Sequence, residues 1–282
     1  MNYLVSESRI EVYGKEDFNI EHILECGQIF SYVKGEDRYT VYSADKKAEI
    51  FEFENGFLIR TFYPLYFEKF FDLERNYGEI KRELSKHKIM QEPIKFGSGI
   101  RILHQNPFET LISFIISANN NIERIKKILF GIRERFGKKT LGYRAFPTRD
   151  ELLKATEKDF EEVGAGYRAK YLFNVLRQVD EKTLEEWGTL STEELRKNLI
   201  ALSGVGPKVA DCVLLFGYGR GDVFPVDTWI QKMYEKFYEK CDNREKIREN
   251  LVNEFGQLSG FAQQYLFFFM RSEENLDETI EK

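Results

Sequence analysis

Residues 202–232 read LSGVGPKVADCVLLFGYGRGDVFPVDTWIQK, and this stretch decides the fold of the chain. Gly204 and Gly206 flank a β-branched residue, which favours a tight turn over helix interior. Pro207 has the fixed φ that suits a first helical position. The apolar residues that follow predict a helix that ends at one of the two glycines in the segment 217–219.

A second helix is predicted just before this turn. Ser191 and Glu194 have the spacing of a capping box and open the amphipathic segment STEELRKNLIAL, residues 191–202. The pattern therefore predicts a helix, a glycine hairpin and a helix. Such a hairpin points backbone N–H groups and a helix N-terminus at one spot, which suits a phosphate group. Gly204 and Gly206 are thus candidate phosphate-binding residues.

Lys208 and Asp227 are the candidate catalytic residues of this stretch. Lys208 lies in the first turn of an otherwise apolar helix, where the helix dipole and partial desolvation both disfavour the ammonium form. We therefore expect its amine to act as a nucleophile near neutral pH. Asp227 follows Pro225 and precedes TWIQKMYEKFY, which is the position of an N-cap that holds the carboxylate ionised.

The motifs GVGPKVADC and PVD are similar to those of the helix-hairpin-helix (HhH-GPD) superfamily, and within it the chain resembles the 8-oxoguanine DNA glycosylase/AP lyase family. The resemblance extends from about residue 20 to about residue 270. It implies excision of 8-oxoguanine from double-stranded DNA in base excision repair, after the damaged nucleotide is flipped out. It also implies a Schiff base on Lys208 followed by β-elimination, with Asp227 stabilising positive charge on the sugar.

The resemblance assigns four base-binding residues. In the family, the carbonyl of Gly27 would meet the protonated ring nitrogen of the base, and Gln263 would bond its pairing edge. Cys212 and Phe267 would enclose the ring from two sides. Without the resemblance, Gly27 is a glycine at the entrance of a strand and Cys212 is a small buried hydrophobe. Gln263 and Phe267 lie four residues apart and so share one helix face.

The resemblance also assigns residues that contact DNA around the lesion, together with the two hairpin glycines. Asn119 would fill the emptied stack, and Tyr167 would wedge the duplex. Arg124 and Arg168 would contact the estranged cytosine, which implies a preference for cytosine opposite the lesion. Without the resemblance, Asn119 begins a polar stop that reads as a helix cap.

One position departs from the family pattern. Trp229 stands where the family commonly has a His that contacts a backbone phosphate, so that contact is in question. Two alternatives stay open. An alkylbase DNA glycosylase of the same fold would use Asp227 with water and needs no lysine at the hairpin. A non-catalytic helix-hairpin-helix DNA-binding protein needs neither Lys208 nor Asp227.

The whole chain of 282 residues predicts an α+β fold in two domains. Residues 1–90 form a β-rich unit, because runs such as RYTVYSAD and KAEIFEFENG alternate with turns and predict an antiparallel sheet. Residues 91–282 form an all-α domain with the catalytic cleft. Single helices are predicted over residues 65–87 and from residue 148 to 163. The apolar segment PFETLISFIISA predicts a buried central helix with Asn106 as its N-cap.

The charges are segregated along the chain. The net charge of −5 argues by itself against a nucleic-acid partner. Residues 121–144, however, carry eight Lys or Arg against two Glu, and the tail from Glu273 carries five acids and one Lys. We therefore expect a basic face and salt-sensitive DNA binding of modest non-specific affinity.

The remaining composition predicts a plain intracellular enzyme. Three cysteines and three histidines, widely spaced, favour neither a disulfide framework nor a metal site, so we expect no metal and no cofactor. No apolar run approaches a membrane span, and the N-terminus lacks a signal pattern. We expect a monomer with no membrane partner, located in the cytoplasm, and associated with the nucleoid if the source is prokaryotic.

Overall fold

The computed structural model describes residues 1–140 and 142–280, with side chains as far as Ser272. The side chains of the acidic tail from Glu273 therefore lie outside the described part. The N-terminal part contains six strands: β1 (Asn2–Ser6), β2 (Arg9–Tyr13), β3 (Tyr32–Lys34), β4 (Tyr39–Ser43), β5 (Lys46–Phe53) and β6 (Gly56–Thr61). They form one antiparallel sheet in the order β1-β2-β6-β5-β4-β3, which confirms the predicted antiparallel sheet.

Helices make up most of the rest, so the α+β fold class is confirmed. They are α1 (Ile20–Glu25), α2 (Pro64–Phe70), α3 (Tyr77–Leu84), α4 (Gln91–Phe96), α5 (Pro107–Ser117), α6 (Ile122–Phe136), α7 (Arg149–Leu152), α8 (Glu157–Glu162), α9 (Arg168–Gln178), α10 (Glu181–Trp187), α11 (Thr192–Ile200), α12 (Pro207–Tyr218), α13 (Thr228–Phe237), α14 (Arg244–Phe255) and α15 (Ser259–Ile280). A small hairpin, β7 (Lys139–Thr140) and β8 (Tyr143–Arg144), follows α6. Within the described ranges, no helix has the length and apolar character that a membrane span requires.

One face of the large sheet is buried because apolar residues recur at every second position. Ile10 and Val12 of β2 stand opposite Ile59 and Phe57 of β6, and all four are buried. The aromatic residues of α2 belong to the same core cluster, so this helix covers the buried face of the sheet.

Two stretches predicted as single helices are each two helices. Residues 65–87 are divided between α2 and α3, because the Asn76 side chain caps a new helix after a break. From residue 148 to 163 the chain forms α7 and α8, each with its own capping box, opened by Thr148 and Thr156. The prediction was wrong in both places for one reason: a residue inside the helical pattern caps a second helix.

Helix α5 is the buried central helix that the sequence predicts. Residues 108–116 are all buried, and the Asn106 side chain accepts a hydrogen bond from Glu109 N at 3.0 Å. The Glu109 carboxylate is buried as well, where it accepts a hydrogen bond from Ser31 Oγ at 2.6 Å and pairs with Arg133 of α6 at 3.1 Å. These polar contacts tie the sheet side of the molecule to α5 and α6.

The segment after α1 is held against the last helix. Gln264 Nε2 of α15 donates a hydrogen bond to Cys26 O at 2.6 Å, and Arg271 Nη2 donates one to Glu25 O. Cys26 itself is buried in the core cluster of the helical part. The N-terminal unit therefore contributes a loop, residues 25–28, to the edge of the helical part, where the cleft lies.

Candidate active site

A cleft of about 1000 Å³ opens between the loop after α1 and the helical part. Its walls come from that loop, the junction of α5 and α6, the hairpin before α12, the start of α13, and α15. The lining includes Gly27, Asn119, Gly204, Gly206, Lys208, Asp227, Phe267 and Arg271. All of these except Arg271 are residues that the sequence assigns to the site. The fold therefore brings together predicted site residues that lie far apart in the sequence.

The helix-hairpin-helix predicted at residues 191–219 is confirmed. Ser191 and Glu194 form the capping box of α11, and α12 runs from Pro207 to a left-handed C-cap at Gly219. No side chain caps the N-terminus of α12 in the described structure. The N–H groups of its first turn are therefore left for a ligand, as a phosphate-binding hairpin requires.

The two hairpin glycines differ in their backbone conformation and in the space around them. Gly204 has a φ of 80°, and a Cβ added there would lie 2.6 Å from Cβ of Tyr171 on α9. Gly206 has an ordinary φ of −88°, and a Cβ added there would meet no atom within 4 Å. Gly204 is thus needed for the packing of the turn against α9, whereas Gly206 leaves open space at the surface. The sequence offered no signal for Tyr171, because this contact joins distant elements.

Lys208 is half-buried in the first turn of α12, at the floor of the cleft. Its Nζ lies 5.1 Å from the centre of the Phe114 ring of α5. One turn further along, burial raises the pKa of the Cys212 thiol to about 11, against the opposing effect of the Lys208 amine. The thiol is therefore protonated at neutral pH and is no competitor for Lys208 as a nucleophile.

Asp227 is the N-cap of α13, as predicted. Its Oδ1 accepts hydrogen bonds from Trp229 N and Ile230 N, both at 3.0 Å. Both capping bonds use this one oxygen, so they hold the carboxylate in place at the cleft without using Oδ2. Trp229 also lines the cleft, and Lys232 Nζ lies 5.1 Å from the centre of its ring. The cap uses the backbone N–H of Trp229, so it does not depend on which side chain stands at that position.

Three side chains of α15 follow one another at intervals of four residues beside the cleft: Gln263, Phe267 and Arg271. Phe267 meets Gly27 directly, since a Cβ added to Gly27 would lie 2.9 Å from Phe267 Cε1. Gln263 is buried, and its Oε1 has no hydrogen-bond partner among the described residues. Gln263 and Cys212 are both buried, and neither is among the residues that line the cleft. Their assignment to the base pocket stays a prediction.

Gly27 lies after a helix and not at the entrance of a strand, which corrects the reading of the residues alone. It follows the C-terminus of α1 with a φ of 82°, and β3 begins only at Tyr32. The neighbouring Gln28 is buried and donates hydrogen bonds to Ile23 O at 2.9 Å and to Arg101 O at 2.8 Å. This amide fixes the loop that presents the Gly27 backbone to the cleft, a role that the sequence did not indicate.

The predicted DNA-contacting residues gather around the backbone at Ala118 and Asn119. Asn119 has a left-handed φ of 49° and lines the cleft. Arg168 is buried, and its guanidinium donates to Ala118 O at 2.8 Å from Nε and to Asn119 O at 2.8 Å from Nη2. Tyr167 is 55% exposed, and its hydroxyl donates to Ala118 O at 3.2 Å. Arg168 thus holds this loop in the structure, and its contact with cytosine stays a prediction.

The basic stretch 121–144 forms less of a basic face than its composition suggests. Arg133 is the buried partner of Glu109, and Arg135 pairs with Asp159 and Glu162 of α8. Arg124 is exposed, and its Nη2 donates to Gly164 O at 3.3 Å. The interpretation of the stretch as a free basic face is therefore only partly right, because some of its arginines are neutralised within the fold.

A buried carboxylate of α12 joins this helix to two neighbouring helices. Asp211 of α12 pairs with Arg196 of α11 at 2.7 Å and with Arg248 of α14 at 3.0 Å, and Arg196 also reaches Glu245 at 2.9 Å. Burial raises the pKa of Asp211, and the two arginines oppose this effect. The cluster joins three helices one turn away from Lys208 and thereby fixes the helix that carries it.

Two family models match the chain. The N-terminal domain of 8-oxoguanine DNA glycosylase matches residues 11–111. The HhH-GPD superfamily base excision DNA repair protein matches residues 112–257. The two matches meet within the central helix α5 and together include the loop at Gly27, the hairpin and Asp227.

Individual proteins are similar over most of the chain. An N-glycosylase/DNA lyase of Saccharomyces cerevisiae is 31% identical over 276 residues, which cover 84% of this chain and 72% of that protein. The Clostridium acetobutylicum 8-oxoguanine glycosylase/lyase, solved with double-stranded DNA containing cytosine opposite 8-oxoG, has a TM-score of 0.90 and 40% identity, covering 97% of this chain and 99% of that chain. MBOgg1, solved with a low affinity DNA ligand, has a TM-score of 0.90 and 38% identity, covering 97% and 100%. The chain therefore belongs to the 8-oxoguanine DNA glycosylase family of the HhH-GPD superfamily of base excision DNA repair proteins.

Proposed function

We propose that the protein excises 8-oxoguanine from duplex DNA, preferentially opposite cytosine, through a Schiff base on Lys208 followed by β-elimination. As a member of this family it is a DNA N-glycosylase with AP lyase activity, the pair of activities for which its relatives are named. One observation carries the finer proposal. Lys208 and Asp227 line the same cleft as Gly27 and Phe267, so the candidate nucleophile faces the candidate base pocket.

The glycosylase step begins when the damaged nucleotide leaves the DNA stack and enters the cleft. The Lys208 amine forms a bond to C1′ of the sugar, and the bond from C1′ to N9 of the base breaks. The base departs with that electron pair and takes up a proton. The Asp227 carboxylate, held by its cap, stabilises the positive charge that develops on the sugar and is the candidate acceptor for the proton that the amine loses.

The lyase step begins when the C1′–O4′ bond of the sugar breaks: O4′ takes up a proton, and the electron pair of the Lys208 nitrogen forms an imine with C1′. The imine withdraws electrons from C2′, so a proton on that carbon becomes acidic. Its removal forms a double bond between C2′ and C3′ and expels the 3′ phosphate. Hydrolysis of the imine then returns the free Lys208 amine.

The proposed opposite-base preference rests on Arg168, which binds the backbone at Ala118 and Asn119, and on Arg124, which binds Gly164 O. Arg124 and Arg168 both have guanidinium groups that donate to backbone carbonyls in the structure. We propose that they exchange these carbonyls for the acceptors of the estranged cytosine, while Asn119 fills the gap in the stack. An Arg contact to a base edge contributes about 1–3 kcal/mol of discrimination.

Neither of the two alternative functions explains why Lys208 lies in the cleft. An alkylbase glycosylase that activates water through Asp227 needs no amine in the cleft, yet Lys208 lies there. A protein that only binds DNA needs the hairpin but no capped carboxylate opposite a lysine. We also propose a monomer located in the cytoplasm, associated with the nucleoid if the source is prokaryotic. In support of the monomer, one chain supplies Gly27, Lys208, Asp227 and Phe267 to the same cleft.

Borohydride trapping tests the mechanism and the preference together. The protein is incubated with a duplex that carries one 8-oxoguanine opposite each of the four bases in turn, and the imine is reduced to a stable adduct. We expect a covalent adduct that is strongest opposite cytosine, absent in Lys208→Gln, and spread more evenly over the four bases in Arg124→Ala. Lys182→Gln, which removes an exposed lysine of α10, is the matched control and should trap like the unchanged protein.

Each unexpected outcome of this experiment would lead to a different conclusion. Base release without an adduct would show that water is the nucleophile and would favour the alkylbase type of chemistry. Neither release nor adduct would leave a DNA-binding protein. An adduct in Lys208→Gln would place the nucleophile on another amine.

A further inference from the structure

Arg271 is a cleft residue that none of the assigned roles uses. It lies four residues after Phe267 on α15 and lines the cleft together with Gly27 and Phe267. Its guanidinium stands 5.4 Å from the centre of the Phe267 ring. Position and spacing make it the third member of the row that begins with the predicted base-binding residues Gln263 and Phe267.

One terminal nitrogen of the Arg271 guanidinium forms a hydrogen bond within the protein, and the other does not. Nη2 donates to Glu25 O, which anchors the group to the loop before Gly27. Nη1 is buried and has no hydrogen-bond partner among the described residues. A buried donor without a partner carries the full cost of its desolvation, and this cost is larger for a charged group. A ligand that brings an acceptor to Nη1 would therefore form a hydrogen bond that this nitrogen does not make in the free protein.

The surroundings show where that acceptor would lie. A Cβ added to Gly27 would stand 3.2 Å from Arg271 Nη1 and 2.9 Å from Phe267 Cε1. The free donor thus lies close to the Gly27 backbone and to the edge of the Phe267 ring. Burial lowers the pKa of the Arg271 guanidinium, and Cys26, Tyr32, Glu25 and Asp227 oppose this effect. None of them supplies a hydrogen bond to Nη1.

The chemistry of 8-oxoguanine fits this donor. In the proposed function the Gly27 carbonyl accepts a hydrogen bond from N7–H of the flipped base, which stacks on Phe267. The two carbonyl oxygens of 8-oxoguanine, O6 and O8, lie on either side of N7–H. A donor beside the Gly27 backbone therefore meets a carbonyl oxygen next to the proton that the Gly27 carbonyl binds.

We propose that Arg271 is a base-binding residue whose Nη1 donates a hydrogen bond to a carbonyl oxygen beside N7 of the flipped oxopurine. This inference rests on the proposed function, since it needs the base to occupy the cleft at Gly27. It deepens that function, because an acceptor from Gly27 and a donor from Arg271 together require an N–H flanked by a carbonyl. A normal guanine, whose N7 carries no proton, would present a lone pair to the Gly27 carbonyl and be rejected.

The test compares two reactions of the same variants under single-turnover conditions. One is excision from a duplex with 8-oxoguanine opposite cytosine, and the other is strand cleavage at a ready-made abasic site, which has no base for Arg271 to bind. For Arg271→Met we expect excision to slow by about tenfold to a hundredfold, the effect of one charge-assisted hydrogen bond, with cleavage at the abasic site unchanged. Arg271→Lys, which keeps a positive donor, should fall between Met and the unchanged protein.

Arg60→Met is the matched control. Arg60 also stands over an aromatic ring, at 4.7 Å from the centre of Phe51, but it is exposed on the N-terminal sheet. It should leave both reactions unchanged. Excision at the normal rate in Arg271→Met would overturn the proposal, as would an equal loss in both reactions, which would make Arg271 a structural residue. If the Met variant fails to fold, the same comparison in Arg271→Lys decides. Absence of excision by the unchanged protein would instead remove the proposed function itself.

Discussion

At the scale of single residues, Gly27 shows how a missing side chain shapes the cleft. Its φ of 82° is strained for any residue with a Cβ, and its neighbour across the gap is the Phe267 ring. Both features serve one purpose in the proposed function: they let a backbone carbonyl and an aromatic face approach the same base. In that function, the Gly27 carbonyl would read the proton on N7 of the base directly.

We predict that Gly27→Ala slows 8-oxoguanine excision at least tenfold. The new methyl group would stand 2.9 Å from Phe267 Cε1 and push the ring into the base pocket. Gly14→Ala is the control, because Gly14 has a similar φ of 89° but open space around it. Each substitution should cost about 1–2 kcal/mol of folding stability through backbone strain, while only Gly27→Ala loses excision in a single-turnover assay. Equal excision by the two variants would contradict a base pocket at Gly27.

At the scale of elements, the hairpin before α12 is held by contacts on two sides. Gly204 packs against Tyr171 of α9, and the buried Asp211 joins α12 to α11 and α14. The hairpin can therefore keep its N–H groups and Lys208 in fixed positions when the DNA backbone arrives. A loop without these contacts would have to be ordered by the ligand at a cost in affinity.

We predict a sharp difference between alanine at the two hairpin glycines. Gly204→Ala combines a positive φ with a contact of 2.6 Å to Tyr171, so its melting temperature should fall by about 5 °C or more. Gly206→Ala has an ordinary φ and open space, so its melting temperature should stay within about 1 °C of the unchanged protein. Thermal unfolding followed by circular dichroism measures both. Equal melting temperatures would show that the turn adapts freely and is not braced by α9.

For the molecule as a whole, the charge distribution favours selective binding of the lesion over tight binding to DNA of any sequence. The net charge is −5, and two arginines of the basic stretch 121–144 form ion pairs within the fold: Arg133 with Glu109, and Arg135 with Asp159 and Glu162. Fewer cations are thus free for phosphate groups than the composition suggests. The contacts proposed for the lesion, in contrast, go to a neutral base from a carbonyl, an amide, an aromatic ring and one guanidinium.

We predict that salt weakens general binding without changing the preference for the lesion. Between about 50 and about 200 mM salt, the affinities for a damaged and an undamaged duplex should fall in parallel, because the same phosphate contacts serve both. Fluorescence anisotropy with Lys208→Gln, which prevents turnover, measures the two affinities. Their ratio should stay within about twofold over this range. A ratio that decreases with salt would mean that lesion recognition is itself an ion-pair contact.

Features that depend on neighbours along the chain could be predicted from short patterns of residues. The capping box at Ser191, the proline start of α12, the N-cap at Asp227 and the buried α5 all follow from patterns of a few residues. The family motifs then marked the remaining site residues, and the cleft gathers Gly27, Asn119, Lys208, Asp227 and Phe267 as that resemblance implies.

Only the tertiary structure decided which partners those residues have. The pairing of Arg133 with Glu109, the grip of Arg168 on Ala118 O and the approach of Arg271 to Gly27 join segments that lie 24, 50 and 244 residues apart. No local pattern carries such contacts, because they depend on how whole elements pack and on which buried donors find acceptors. For that reason no sequence motif marks Arg271, and it becomes a candidate base contact only in the folded chain.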